Sequence, residues 1–183
     1  MVGQGLITVL LVPFVKEVLG GTALQFGWLV TAQGIGGVLG GVVMARLGMS
    51  GATVRVVSGS LGAVGITFIA MVNSASLPAS LVLIALVGGP ATAYTIAVQT
   101  LLQIYSEDAF RGRVFATYGS VTIFALLIGM VSASFLAGVI PLVDTLNAAG
   151  AIFLVAAVLG WRIRVPTLIA PAADPESDAA ASV

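Results

Sequence analysis

Residues 79–105 read ASLVLIALVGGPATAYTIAVQTLLQIY and contain no Asp, Glu, Lys or Arg. As a helix rising about 1.5 Å per residue, this stretch would be roughly 40 Å long, which exceeds the roughly 30 Å of a bilayer's hydrocarbon core. Gly88, Gly89 and Pro90 interrupt the run, and we expect a break or kink there because proline removes a backbone donor. The stretch therefore predicts a transmembrane helix.

Five further apolar stretches, separated by short polar breaks, cover residues 2–15, 26–44, 56–72, 114–140 and 146–161. The sequence thus predicts an all-α, polytopic membrane protein with six transmembrane helices in residues 1–165. Residues 166–183 are rich in Ala, Pro, Asp and Ser, which is typical of a disordered tail. The first stretch is short for a full span, which indicates a misplaced start codon or a fragment of a longer chain.

The composition favours lipid as the solvent of this chain. Hydrophobic residues make up 59% of it and charged residues 8%, against roughly 25% charged in an ordinary soluble domain. The mean hydropathy is +1.17. A soluble all-α protein is the alternative, but six successive apolar runs with so little charge between them argue against it.

Several functions are disfavoured by the same composition. The net charge is zero, so the basic footprint of a nucleic-acid-binding protein is lacking. The sequence contains neither His nor Cys, which removes disulfides, most zinc sites and the commonest general base. We therefore expect no enzyme, no metal and no cofactor.

The basic residues predict the orientation. Six spans place both termini on one side of the membrane, and Lys16 is the one basic residue that falls on the other side. The termini share their side with Arg46, Arg55, Arg111, Arg113, Arg162 and Arg164. By the positive-inside rule, the protein is expected in the cell (plasma or inner) membrane with both termini and the tail in the cytoplasm.

Glycines in the second stretch have the spacing of helix-packing residues. Gly36 with Gly40, and Gly37 with Gly41, form two overlapping GxxxG patterns. Such residues let two helix backbones approach closely in lipid. The sequence leaves open whether the partner helix belongs to the same chain or to another.

Polar uncharged residues concentrate on three of the stretches, where their spacing places them on single helical faces. The substrate-cavity candidates from this pattern are Gln4, Thr8, Thr92, Thr95, Gln99, Gln103, Tyr118 and Thr122. We expect the first, fourth and fifth spans to face a central cavity and the third and sixth to face lipid. Hydrogen bonding between helices without any ligand is an equal alternative.

The loop after the fourth stretch carries the most specific pattern, EDAFRGRVFATYG (residues 107–119), preceded by QTLLQ (residues 99–103). It resembles the loop between the tenth and eleventh helices of major facilitator superfamily transporters, especially the exporter branch with enterobactin and macrolide efflux proteins. LLVPFVKEVLG (residues 10–20) is similar to the seventh helix of that branch. ARLG (residues 45–48) is similar to the end of its eighth.

The resemblance implies the C-terminal six-helix half of a twelve-helix transporter, which works by alternating access and is driven by an ion gradient. It implies a substrate cavity lined by the first, second, fourth and fifth spans, to which the second contributes Gln33. Glu107, Asp108, Arg111 and Arg113 become candidates for gating the cytoplasmic side by ion pairs between helices, with simple anchoring of the topology as the alternative. However, no Asp, Glu, Lys or Arg lies in the middle of any span, which argues against a complete proton-driven transporter within these residues.

Three functions remain open. The first is efflux of a small hydrophobic molecule, with the chain as half of a longer permease. The second is a half-size transporter that pairs with itself or with a separate N-terminal half. The third is a membrane remnant or scaffold without transport activity. The expected partners are the lipid bilayer, a small-molecule substrate, and the missing half or a second copy.

Overall fold

The computed structural model describes residues 1–46, 54–74 and 76–162, which form six helices. The helices are α1 (Val2–Pro13), α2 (Ala23–Arg46), α3 (Val54–Asn73), α4 (Leu77–Tyr105), α5 (Arg111–Leu136) and α6 (Leu142–Arg162). A π-helical segment, Phe14–Val18, continues α1. The tail predicted for residues 166–183, Arg164 and the loop between α2 and α3 (residues 47–53) lie outside the described residues.

Five of the helices, α2 to α6, are long and apolar enough to cross a membrane. The protein is therefore an all-α, multi-helix membrane protein. The remaining helix, α1, has 12 residues and is shorter than the five others. At about 1.5 Å per residue its α-helical part is roughly 18 Å long, well below the hydrocarbon thickness.

Pro13 accounts for the irregular end of α1. Proline has no N–H to donate to the preceding turn, and the helix widens immediately after it into the π-helical segment. A hydrogen bond of 3.2 Å from the Leu19 amide to the Phe14 carbonyl closes that segment. Gly20 then reverses the chain with a φ of 61°, a backbone conformation that glycine adopts without strain.

The fourth and fifth helices differ from the sequence expectation. The fourth helix runs unbroken from Leu77 to Tyr105, so Gly88, Gly89 and Pro90 do not interrupt it. The fifth helix ends at Leu136, before the expected position 140, because the Val139 and Ile140 amides turn back to the Leu136 carbonyl.

The helices pack in the order α5, α1, α6, α3, α4, α2. Each of three helix pairs, α2 with α4, α1 with α5 and α3 with α6, contains a close contact between two glycines. In lipid, where apolar side chains gain little by facing each other, such contacts allow the dispersion contacts that hold helices together.

The crossing of α2 and α4 is the most extensive of these contacts. A side chain at Gly36 would collide with the carbonyl oxygen of Ala85, and one at Gly40 would collide with the backbone of Gly89. From the opposite side, a side chain at Gly88 would meet the backbone of Gln33 and Gly37. The glycines beside Pro90 thus allow close packing against α2 rather than a helix break.

The other two crossings follow the same rule. Between α1 and α5, a side chain at Gly5 would lie 2.9 Å from the Cα atom of Gly129. Between α3 and α6, a side chain at Gly65 would lie 3.0 Å from the carbonyl oxygen of Gly150. Asn73 and Asn147 reinforce this pair with a side-chain hydrogen bond of 2.8 Å.

Burial is uneven among the spans. The buried core residues come mainly from α1 with its π-helical continuation, α3 and α4, and Phe14, Phe68 and Met71 are almost fully buried. Among the five candidate spans, α3 has the largest share of buried residues, and α2 and α5 have the smallest. These two helices occupy the ends of the packing order and expose large apolar side chains, such as Val38 at 68% and Phe135 at 75%.

We predict that Gly36→Ala destabilises the protein, because the added methyl group collides with the Ala85 carbonyl, which cannot rotate away. Overpacking of this kind costs about 1–3 kcal/mol. Gly27→Ala is the matched control, since it lies on the same helix with nothing within 4 Å. Thermal unfolding in detergent, followed by circular dichroism, should give a lower midpoint for Gly36→Ala and an unchanged or higher one for the control. Equal midpoints would contradict the close packing of α2 on α4.

Candidate functional site

A cavity of about 250 Å³ lies between α1 and α4. The third and sixth helices close it from behind, and α2 borders it through Gln33. It exists because α1 packs against α5 and α6, whereas α4 packs against α2 and α3. The three glycine crossings thus draw the helices into pairs and leave space between α1 and α4.

The wall of the cavity is mainly apolar. Its larger apolar side chains come from four helices and are Ile7, Leu11, Leu61, Val64, Phe68, Ile84, Val87, Ile152 and Phe153. Four polar side chains interrupt this surface, namely Gln4, Gln33, Tyr94 and Thr95. None of the described residues lining the cavity has an acidic or basic side chain. Such a surface suits a small uncharged molecule with a few hydrogen-bonding groups.

The polar groups differ in what they already bind. The Thr95 hydroxyl donates to the Ala91 carbonyl at 3.0 Å, the usual way a threonine is satisfied within a membrane helix. Tyr94 lies beside Tyr118 of α5, close enough for their side chains to interact. Within the described part of the chain, the side-chain amides of Gln4 and Gln33 take part in no hydrogen bond. These two amides are the donors and acceptors available to a ligand.

An open groove of about 670 Å³ runs along the crossing of α2 and α4. Glycines leave it open, because at Gly34, Gly37, Gly41 and Gly88 no side chain fills the space. Val30, Val38 and Thr92 complete its sides. Gln33 and Ala91 line both the groove and the cavity, so these two residues lie at the boundary between the two spaces.

The predicted substrate-cavity residues divide into three groups. Gln4, Gln33 and Thr95 line the cavity, and Thr92 lines the groove. The others line neither space: Thr8, Gln99, Gln103, Tyr118 and Thr122. Thr8 is exposed and donates to the carbonyl of Gln4 at 2.8 Å, while Gln99 and Gln103 are exposed on α4.

The helices around the cavity also differ from the expected set. The third and sixth helices were expected to face lipid, yet each supplies apolar side chains to the wall. The fifth helix was expected to line the cavity and supplies none of the lining residues, because it packs on another side of α1. Apolar side chains can face either lipid or a cavity, so hydropathy alone does not distinguish the two positions.

Tyr94 is the polar cavity residue that sequence reasoning missed. The expectation followed the stripe of Thr92, Thr95, Gln99 and Gln103 along one side of α4. The face that lines the cavity instead runs through Ile84, Val87, Ala91 and Tyr94, at helical spacings of three, four and three. Tyrosine within this apolar stripe was the available signal.

The loop between α4 and α5 contains a local ion pair. Arg111, in the first turn of α5, lies 2.6 Å from Asp108, and both side chains are largely exposed. Arg113 lies over the ring of Phe110 at 5.9 Å from its centre. The amides of Phe110 and Arg111 donate to the Glu107 carbonyl, which fixes the turn. The ion pair between Arg111 and Asp108 joins the loop to the helix that follows it. An exposed pair of this kind adds at most about 1 kcal/mol to the stability of the fold. The gating role considered for these residues stays a prediction.

No metal centre is evident in residues 1–46, 54–74 and 76–162, where no three His, Cys, Asp or Glu side chains lie close enough to hold an ion.

The comparison with curated proteins gives no match, and neither does the comparison with solved structures. The family model of the Major Facilitator Superfamily matches residues 1–181, nearly the whole chain. The chain therefore belongs to the major facilitator superfamily, whose members are membrane transporters.

Proposed function

We propose that this protein exports a small, largely apolar and uncharged molecule by alternating access, as the C-terminal half of a longer transporter. The observation that carries the proposal is the apolar cavity between α1 and α4, with hydrogen-bonding groups and no charged side chain among its described lining residues. Export, rather than uptake, rests on the resemblance of residues 107–119 to an exporter branch. Membership of the family supports transport in general.

Alternating access requires a second half-transporter that moves against this one. The apolar side chains on α2 and α5 supply a surface for it, because these helices end the packing order and bury least. Phe124 and Phe135 on α5 are 68% and 75% exposed. We propose that an N-terminal half encoded upstream covers part of this surface, with a second copy of the chain as the alternative.

The transport proposal predicts a lower accumulation of uncharged fluorescent dyes in an efflux-deficient host that expresses the chain together with its upstream reading frame. Ala91→Phe should restore accumulation, because a phenyl ring at this position fills part of the cavity. Ala70→Phe is the matched control, since Ala70 is exposed on α3 and lies outside the cavity lining. Dye accumulation that is unchanged across a broad panel, or equally altered by both variants, would overturn the proposal.

The same experiment with the chain expressed alone separates the two partners. Export by the chain alone would favour a second copy of itself. Export that requires the upstream reading frame would favour a separate N-terminal half. The DNA offers an independent test, because six further spans in frame, without a stop codon, would identify the chain as part of a twelve-helix protein.

We also propose a location in the cell membrane with the loop between α4 and α5 in the cytoplasm. The sequence has no cysteine, so a single introduced thiol can be labelled without background. Both test positions, Ala23 at the start of α2 and Ala109 in the loop, are exposed. A membrane-impermeant maleimide should label Ala23→Cys in intact cells and Ala109→Cys only after permeabilisation. The reverse pattern would invert the proposed orientation.

A further inference from the structure

Gln33 occupies a special position between the two spaces of the protein. It lies in the middle of α2, and its backbone carbonyl faces Gly88 at the crossing with α4. Gln33 lines both the cavity and the open groove. The other residue that both spaces share, Ala91, carries only a methyl group. Gln33 is therefore the polar side chain at the boundary between them.

The amide of Gln33 retains its capacity to bind. A glutamine side chain offers two N–H donors and one carbonyl acceptor. Among the described residues none of these groups is engaged in a hydrogen bond. In the described part of the chain, every fully buried side-chain nitrogen or oxygen has a hydrogen-bond partner. Because the Gln33 amide has none, its atoms are not fully buried and must reach accessible space. A hydrogen bond to a ligand stabilises a polar group most when the group lies beside an apolar wall, where water competes least.

The cavity limits both the charge and the size of that partner. A cation would lose its hydration without an opposite charge among the described lining residues, at a cost of several kcal/mol. An apolar protein cavity of about 150 Å³ holds one benzene ring. The present volume of about 250 Å³ therefore suits a molecule of roughly ten non-hydrogen atoms, such as two fused rings.

We propose that Gln33 is the specificity-determining residue of this site, where it hydrogen-bonds an uncharged, ring-sized molecule whose apolar body rests against Phe68 and Phe153. The proposal rests on the proposed transport function for its physiological meaning. The binding itself requires only Met1 and the helices of this chain, since all other lining residues belong to them. Binding can accordingly be measured without transport.

The test uses the purified full chain in lipid nanodiscs and two probes of nearly equal size, indole and benzothiophene. Both are uncharged and bicyclic, but only indole carries an N–H donor. Equilibrium dialysis, with binding to protein-free nanodiscs subtracted, gives the affinity of each. We expect saturable binding of both probes, tighter for indole.

Substitution at Gln33 should remove the discrimination between the probes. Gln33→Leu and the more flexible Gln33→Met both delete the amide while keeping a similar volume. Each should weaken indole binding about tenfold, the loss expected for one hydrogen bond in an apolar site, and leave benzothiophene binding within about twofold. Thr31→Val is the control, because Thr31 is an exposed polar residue on the same helix whose hydroxyl donates to the Gly27 carbonyl.

Several results would overturn the inference. These are no saturable binding of either probe, equal affinity for the two probes in the unmodified chain, or equal weakening of both by the substitutions. Each of these leaves the dye-accumulation test standing, so the transport proposal would survive them. Conversely, discrimination that depends on Gln33, combined with no dye export even when the chain is expressed together with its upstream reading frame, would support the site and refute the transport function.

Discussion

Close approach of helix backbones at glycines is the constraint on which the rest of this structure depends. The crossings of α2 with α4 and of α1 with α5 place backbone atoms where a side chain would collide, and at the crossing of α3 with α6 a side chain at Gly65 would lie 3.0 Å from the Gly150 carbonyl oxygen. A lipid solvent offers little hydrophobic gain for bringing apolar helices together, so dispersion contacts at short range must supply much of the stability. Gly36, Gly5 and Gly65 allow the helices to approach to this short distance. Glycine has a low helix propensity, but a membrane helix tolerates it.

The pairing explains where the cavity lies. Because α1 and α4 each pack closely with other helices, the space between them remains open and is closed from behind by α3 and α6.

The packing order also has an internal symmetry. Exchanging α1, α2 and α3 with α4, α5 and α6 turns the order α5, α1, α6, α3, α4, α2 into its own reverse. Such an exchange fits the paired three-helix repeats from which the halves of major facilitator transporters are built, and it places the cavity at the centre of the repeat pair.

The fold was more predictable from the sequence than the site. Long apolar stretches such as residues 79–105 indicate helices because the bilayer thickness sets their length, and the structure has helices in all six stretches. The expected break at Pro90 did not occur, since the adjacent glycines serve the contact with α2, and a contact between distant helices cannot be read from local sequence. The polar stripe on α4 contains Thr95 but not Tyr94, and both of these residues line the cavity. Hydropathy did not reveal the wall contributed by Phe68 and Phe153, because it does not distinguish an apolar residue facing a cavity from one facing lipid.

The uneven burial of the helices bears on the partner half that we propose for this chain. A helix that lies wholly in lipid can expose apolar side chains on every side, so exposure of Val38 or Phe135 does not by itself demand a second protein. The groove on α2 and α4 is different, because it is an indentation floored by Gly34, Gly37 and Gly88 and bordered by the amide of Gln33. Lipid chains satisfy no amide, and the family's mechanism places a second half-transporter across the substrate site. The position of Gln33 therefore connects the two proposals, since a partner half that covered the groove would also enclose the residue that we propose to select the substrate.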